Sequence, residues 1–187
     1  EDAIYFSKRV TRAVPDGGPI EAHTDLVKKL DYECELAVVL GRDARDVPAG
    51  QTRDYIFGYT ILNDVSARDV QTAHKQWYFG KSLDGFTPIG PCIVTADAFA
   101  DYPPRLGIRS FVNGEKRQDS NTALQIFDID HVIAELSQGM TLKAGTIIAT
   151  GTPAGVGMGM DPPQFLKLGD VVRCEIEGIG TLTNPVK

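Results

Sequence analysis

The segment DYECELAVVL, residues 31–40, begins with three acids in five residues and ends as an unbroken apolar run. The segment ECELAVVLG (33–41) reads as a strand whose run Leu36–Leu40 is buried. Side chains alternate along a strand, so Glu33 and Glu35 project from one face and Cys34 points to the other, into packing. Two carboxylates on one face repel unless water or a cation lies between them. An exposed polar face is the ordinary explanation of such a pair. The functional one is a pair of hard oxygen ligands for Mg²⁺ or Mn²⁺, which needs a further acid from another element.

Asp64 is the best candidate for that acid. It follows the β-branched and aromatic run FGYTILN (57–63), which reads as a strand. Its ordinary role would be a helix-entry acid ahead of VSARD (65–69). The segment ARDVQTAH (67–74) predicts a helix with Ser66 as its N-cap. The stretch 75–91 is punctuated by glycine and proline and reads as loop, with a short strand at 92–96. Asn113-Gly114 between two strand-like runs predicts a hairpin. The segment DIDHVIAELSQGM (128–140) is the strongest helix pattern, with Ile129, Val132, Ile133 and Leu136 on one face and Gly139 as its stop. A short helix is expected near 47–56, a strand with a glycine-rich loop over 146–159, and a terminal hairpin from Gly169. Strands outnumber helices without alternating with them. That predicts a β-rich α+β domain with peripheral helices, not a doubly wound parallel sheet.

The chain has 187 residues, 42% hydrophobic and 24% charged, which suits a single domain over 1–187. With 19 Lys+Arg against 25 Asp+Glu the formal net charge is −6, and no basic block offers a footprint for nucleic acid. Cys34, Cys92 and Cys174 are widely spaced and match no metal motif, as expected of reduced thiols in a cytoplasmic protein. No apolar run is long enough to span a bilayer, so no membrane partner is expected.

Lys81 lies in the turn-rich segment FGKSLDGFTPIGP (79–91), where an ammonium could stand beside a substrate oxygen. The loop TGTPAGVGMG (150–159) has neither a P-loop ending nor a dinucleotide glycine register. It could instead offer backbone N–H groups to a carboxylate, helped by a threonine hydroxyl. His23, His74 and His131 are scattered, so a hard, oxygen-liganded cation fits better than zinc.

Taken in order, LDYECELAVVLG, GYTILNDVSARDVQ, QWYFGKSLDGFTPIGP, VNGEKRQDSNT and IIATGTPAGVG resemble the fumarylacetoacetate hydrolase family in its catalytic C-terminal domain, over nearly the whole chain. The resemblance implies a mixed β-sandwich-like roll with peripheral helices, usually assembled as a homodimer. It implies metal ligands at Glu33, Glu35 and Asp64. It implies substrate-binding or catalytic roles for Arg68, Gln71, Lys81 and Thr152. Arg68 and Gln71 are three apart and can share one helix face. A small 2-oxo carboxylate substrate is then expected, polarised by Mg²⁺ or Mn²⁺ and reacting through a metal-bound enolate. Hydrolysis of a C–C bond in an acylpyruvate or related β-diketo acid is the first reaction implied. Oxaloacetate-type decarboxylation and 2-hydroxymuconate-type isomerisation are the alternatives, and a non-catalytic binding protein is the remaining one. Family hydrolases carry a water-activating histidine–glutamate pair upstream of the position of IYFSK (4–8), so a short N-terminal segment is expected ahead of Glu1.

Overall fold

In the computed structural model, which describes residues 2–187, the chain forms β1 (Leu30–Asp31), β2 (Cys34–Leu40), β3 (Ile56–Asn63), β4 (Ser66–Ala67), α1 (Arg68–Ala73), α2 (Trp77–Lys81), β5 (Ile89–Thr95), β6 (Gly107–Val112), β7 (Glu115–Asn121), α3 (Ile129–Leu136), β8 (Ile147–Ala149), β9 (Val171–Ile176) and β10 (Gly180–Pro185). These strands make two antiparallel four-stranded sheets, ordered β5-β3-β2-β8 and β10-β9-β6-β7, and the small pair β1-β4. The two larger sheets touch through β2 and β3 on one side and β6, β9 and β10 on the other. This is the β-rich α+β architecture expected from the sequence.

The alternation in residues 34–40 decides the packing. Cys34, Leu36, Val38 and Leu40 all enter the core between the sheets, with Ile108, Val172, Cys174 and Ile176 from the second sheet. Every residue of β2 is buried, because elements also cover its other face. That other face carries Glu35, with Glu33 just before the strand. Burial of this kind contributes roughly 1.5–3 kcal/mol per large aliphatic side chain, which is why the register of β2 cannot slip.

The Asn113-Gly114 hairpin forms as expected, with both residues at positive φ (52° and 83°), the geometry of a two-residue turn that matches the twist of its strands. In α3, Asp128 caps the helix by accepting from the His131 N–H at 2.8 Å, and Gly139 turns the chain away with φ of 71°.

Three local expectations are corrected. Ser66 does not cap α1. It lies in β4, its hydroxyl donates to the Asp64 carbonyl at 2.8 Å, and Ala67 takes the N-cap position without a side-chain bond. The stretch 75–91 is not all loop. Trp77–Lys81 winds into α2, held against α1 by Gly80, where a Cβ would fall 2.7 Å from the Gln71 backbone nitrogen. The helix expected near 47–56 is a single 3₁₀ turn at Thr52–Tyr55.

Candidate metal centre

The register between β2 and β3 builds the acidic cluster. Cys34 pairs with Asn63, which places Glu33 opposite Asp64, and the Asp64 N–H donates to the Glu33 carbonyl at 2.8 Å. Glu35 lies one alternation further on the same face. A carboxylate oxygen from each of Glu33, Glu35 and Asp64 lies within 4.8 Å of the other two, and all three residues are buried. Among the described residues this is the one cluster of at least three potential ligands that converges in this way, and it contains no histidine or cysteine.

Three cations enter the same space. Lys81, at the end of α2, donates to Glu33 at 2.7 Å and to Asp64 at 2.6 Å. Lys8 reaches in from the N-terminal segment to the other Asp64 oxygen and to the Phe86 carbonyl, both at 2.6 Å. Arg68, the first residue of α1, meets Glu33 through Nη1 at 2.6 Å and Asp31 through Nε at 2.9 Å. Phe6 lies 5.4 Å from the Lys81 ammonium and packs edge-on against Trp77, so the N-terminal segment leans over the cluster.

Four carboxylates (Asp31, Glu33, Glu35 and Asp64) therefore face three cations (Lys8, Arg68 and Lys81). Glu35 is the one left without a salt bridge among the described residues, and its recorded partner is the Gly151 N–H at 2.8 Å. Burial raises its pKa well above the usual carboxylate range, and the charges of Asp64 and Glu33 add to the rise. Burial alone would lower Lys81, but Asp64 and Glu33 hold its ammonium above the ordinary value. In Lys8 burial outweighs the attraction of Asp64 and the pKa falls.

This donor set fits a hard divalent cation. It offers oxygen ligands of three carboxylates, one of which has no salt bridge among the described residues. A testable consequence follows for Glu35. A raised carboxylate pKa stabilises the fold below the unfolded value of about 4.3, and that contribution is lost as pH rises through the folded value. At neutral pH Glu35, charged or protonated, is thus a burden on the metal-free protein, because the unfolded chain holds it ionised in water at no such cost. Glu35→Gln keeps an acceptor for Gly151, so in the presence of EDTA at pH 7 it is expected to melt at or above the wild-type temperature. The advantage should vanish towards pH 4, and added Mg²⁺ should stabilise the wild type but not the variant. A clearly lower melting temperature for metal-free Glu35→Gln at pH 7 would contradict this electrostatic picture.

The glycine-rich loop after β8 closes the far side. Gly151 donates to Glu35, and the Thr152 hydroxyl donates to the Cys34 carbonyl at 3.0 Å while accepting from Gln118 Nε2 at 2.8 Å. The Thr152 hydroxyl proton is therefore engaged by the scaffold, and this oxygen can only accept from a further partner. Gln71 sits beside Arg68 as its helix spacing implies, its Oε1 accepting from Arg68 Nη1 at 3.3 Å. A cavity of about 190 Å³, lined by Lys29, Arg68, Thr72, Met158, Pro163 and Phe165, opens behind Arg68, away from the acids.

Sequence reasoning missed Lys8, Gln118 and the role of Asp31. Lys8 lies in an irregular segment where one lysine looks like any other. Gln118 is fully buried in β7 amid a polar run, and it ties the Cys34 N–H to the loop at Thr152 and Pro153. His23, His74 and His131 stand outside the cluster and pack against Phe86, Phe79 and Phe127.

A family model described as fumarylacetoacetate (FAA) hydrolase C-terminal matches residues 1–187. Oxaloacetate tautomerase YisK of Bacillus subtilis (strain 168) is 45% identical over 186 residues, covering 100% of this chain and 62% of its own length. Among solved structures, a fumarylacetoacetate hydrolase from the psychrophilic Exiguobacterium antarcticum is 52% identical with a TM-score of 0.90, over 92% of this chain and 62% of its own. A 2-hydroxyhepta-2,4-diene-1,7-dioate isomerase from Mycobacterium marinum is 44% identical with a TM-score of 0.81, over 92% and 64%. The chain thus spans somewhat under two thirds of the length of the relatives it matches. Among the described residues no helix is long and apolar enough to cross a membrane.

Proposed function

The chain belongs to the fumarylacetoacetate hydrolase family, and on that premise we propose that it is a Mg²⁺- or Mn²⁺-dependent enzyme that moves a proton on a short 2-oxo carboxylic acid, interconverting keto and enol forms. The observation that carries the reading is the buried cluster of Glu33, Glu35 and Asp64, in which Glu35 has no salt bridge among the described residues, flanked by Lys81 and Arg68. Relatives named as a tautomerase and as an isomerase favour proton transfer as the first reaction. The hydrolase in Exiguobacterium supports C–C hydrolysis of an acylpyruvate as the second reading.

Glu33, Glu35 and Asp64 would hold the cation, which supplies Lewis-acid polarisation of the keto group when bound. The rest is the work of this chain's own side chains. Arg68 bonds Asp31 through Nε and Glu33 and Gln71 through Nη1, and its Nη2 would be the donor to the substrate carboxylate. As C3 gives its proton to a solvent water, negative charge collects on the 2-oxo oxygen, where the Lys81 ammonium is held to stabilise it, and a proton returned from water to that oxygen completes the enol. Lys81 is fixed by two carboxylates and shielded from water, so it needs no reorganisation as the charge develops. Thr152 and the loop amides line the opposite wall. The catalytic unit is proposed to be the single domain 1–187, acting in the cytoplasm as a homodimer.

The test is an assay with oxaloacetate in the presence of Mg²⁺ or Mn²⁺. Accelerated loss of the enol absorbance, with no CO₂ released, is the expected result. Cleavage of acylpyruvate with no effect on the enol would replace the first reading by the second, and CO₂ release would mark a decarboxylase. Inactivity in all three assays with metal bound would count against an enzyme of this chemistry.

A further inference from the structure

We propose that Asp31 is a positioning residue that aims Arg68 at the substrate carboxylate and couples that aim to the glycine-rich loop. The proposal rests on the assignment of Arg68 to substrate above.

Asp31 has no exposed surface, so it does not meet substrate directly. Its Oδ2 accepts from Arg68 Nε at 2.9 Å and from the Met158 N–H at 3.0 Å. Its Oδ1 accepts from the Gly157 N–H at 2.8 Å and the Tyr32 N–H at 2.9 Å. An ionised carboxylate offers about four acceptor directions, and all are used here. A buried aspartate that only neutralised an arginine would not need two successive amides from a loop 126 residues away in sequence.

The remaining contacts of Arg68 leave this bond to set its direction. Glu33 and Gln71 also bind the guanidinium, both through Nη1, but Glu33 is shared with Lys81 and belongs to the acidic cluster, and Nε is held by Asp31. The cavity of about 190 Å³ touches both Arg68 and Met158, so packing on that side leaves the arginine room to turn. The loop, by contrast, is fixed where it meets Asp31. A Cβ at Gly157 would lie 2.0 Å from the Gln164 carbonyl and 2.8 Å from Asp31 Oδ1, so only glycine lets the chain come this close. Displacement of residues 157–158 would pull on the carboxylate that holds Arg68.

The experiment is a double-mutant cycle read by calorimetry, with oxalate as the probe on Mg²⁺-loaded protein. Asp31→Asn offers an amide N–H to one of the donors it used to accept from. It is expected to weaken oxalate at least tenfold and to raise KM more than it lowers kcat, with Mg²⁺ affinity within about threefold of wild type. Arg68→Ala should weaken oxalate at least as much. In the Asp31→Asn, Arg68→Ala protein no loss beyond that of Arg68→Ala should appear. Oxalate affinity unchanged in Asp31→Asn, or a full second loss on top of Arg68→Ala, would overturn the proposal. Wild-type oxalate affinity in Arg68→Ala would overturn it by removing its premise, and would separately contradict the proposed role of Arg68. If Asp31→Asn does not fold, Asp31→Ser carries the same cycle. Failure of both to fold while Arg68→Ala folds would identify Asp31 as a structural staple and overturn the proposal too.

Discussion

Replacement of Asp64 by alanine is expected to abolish turnover and metal binding together, with activity falling at least about a thousandfold. The size follows from losing several kcal/mol of stabilisation at the reacting oxygen, each ~1.4 kcal/mol being a factor of ten. Among the described residues Asp64 is the one acid that two lysines grip at once, Lys8 on one oxygen and Lys81 on the other. Removing it therefore strips a ligand from the cluster and leaves the buried Lys81 and half-buried Lys8 ammoniums facing each other with Glu33 and Glu35 alone. Both effects oppose entry of a divalent cation. Steady-state assays and Mg²⁺ calorimetry on the same preparation check the pairing. Retained activity without metal binding, or retained binding without activity, would show that Asp64 serves only one of the two roles.

Lys81→Ala has a different signature. Lys81 is buried against Glu33 and Asp64, and its loss leaves two carboxylates short of a partner in a dry site. Breaking such a pair costs about 3–5 kcal/mol, so the metal-free protein should melt far below the wild type. Mg²⁺ should restore much of that loss, because it supplies the missing positive charge. Metal affinity in the variant should therefore hold or rise while turnover at saturating metal drops by roughly 10²–10³. The split separates a charge-stabilising lysine from a scaffolding one. Loss of metal affinity equal to the loss of turnover would assign Lys81 to the scaffold.

The reach of sequence reasoning differed between fold and site. Period-two alternation in residues 33–40 was enough to put Cys34 inside and the two glutamates on one face, because a central strand has no other way to bury Leu36, Val38 and Leu40. Asn113-Gly114 marked a hairpin because few residue pairs accept two positive φ angles. Ser66 misled because a hydroxyl before a helix is an N-cap only if the chain leaves it free. Here antiparallel pairing of Ser66 with Asp31 draws it into a strand. Lys81 reads as a loop residue in the sequence because α2 is too short to show periodicity, and its packing depends on Gly80 fitting against α1. Within the candidate site, Glu33, Glu35 and Asp64 were legible because strand spacing and an apolar run located them. Lys8 and Gln118 were not, since their positions depend on contacts 56 and 84 residues distant that no local pattern encodes. Asp31 stood in the opening motif, but its four donors come from three separate segments.

The most direct test is titration of Mn²⁺ or Mg²⁺ into the metal-free protein by calorimetry, beside Glu35→Gln. One cation per chain is expected for the wild type, with affinity rising with pH as Glu35 gives up its proton, and at least a hundredfold weaker binding in the variant. No binding by the wild type, or binding that Glu35→Gln leaves unchanged, would contradict a metal centre built from Glu33, Glu35 and Asp64.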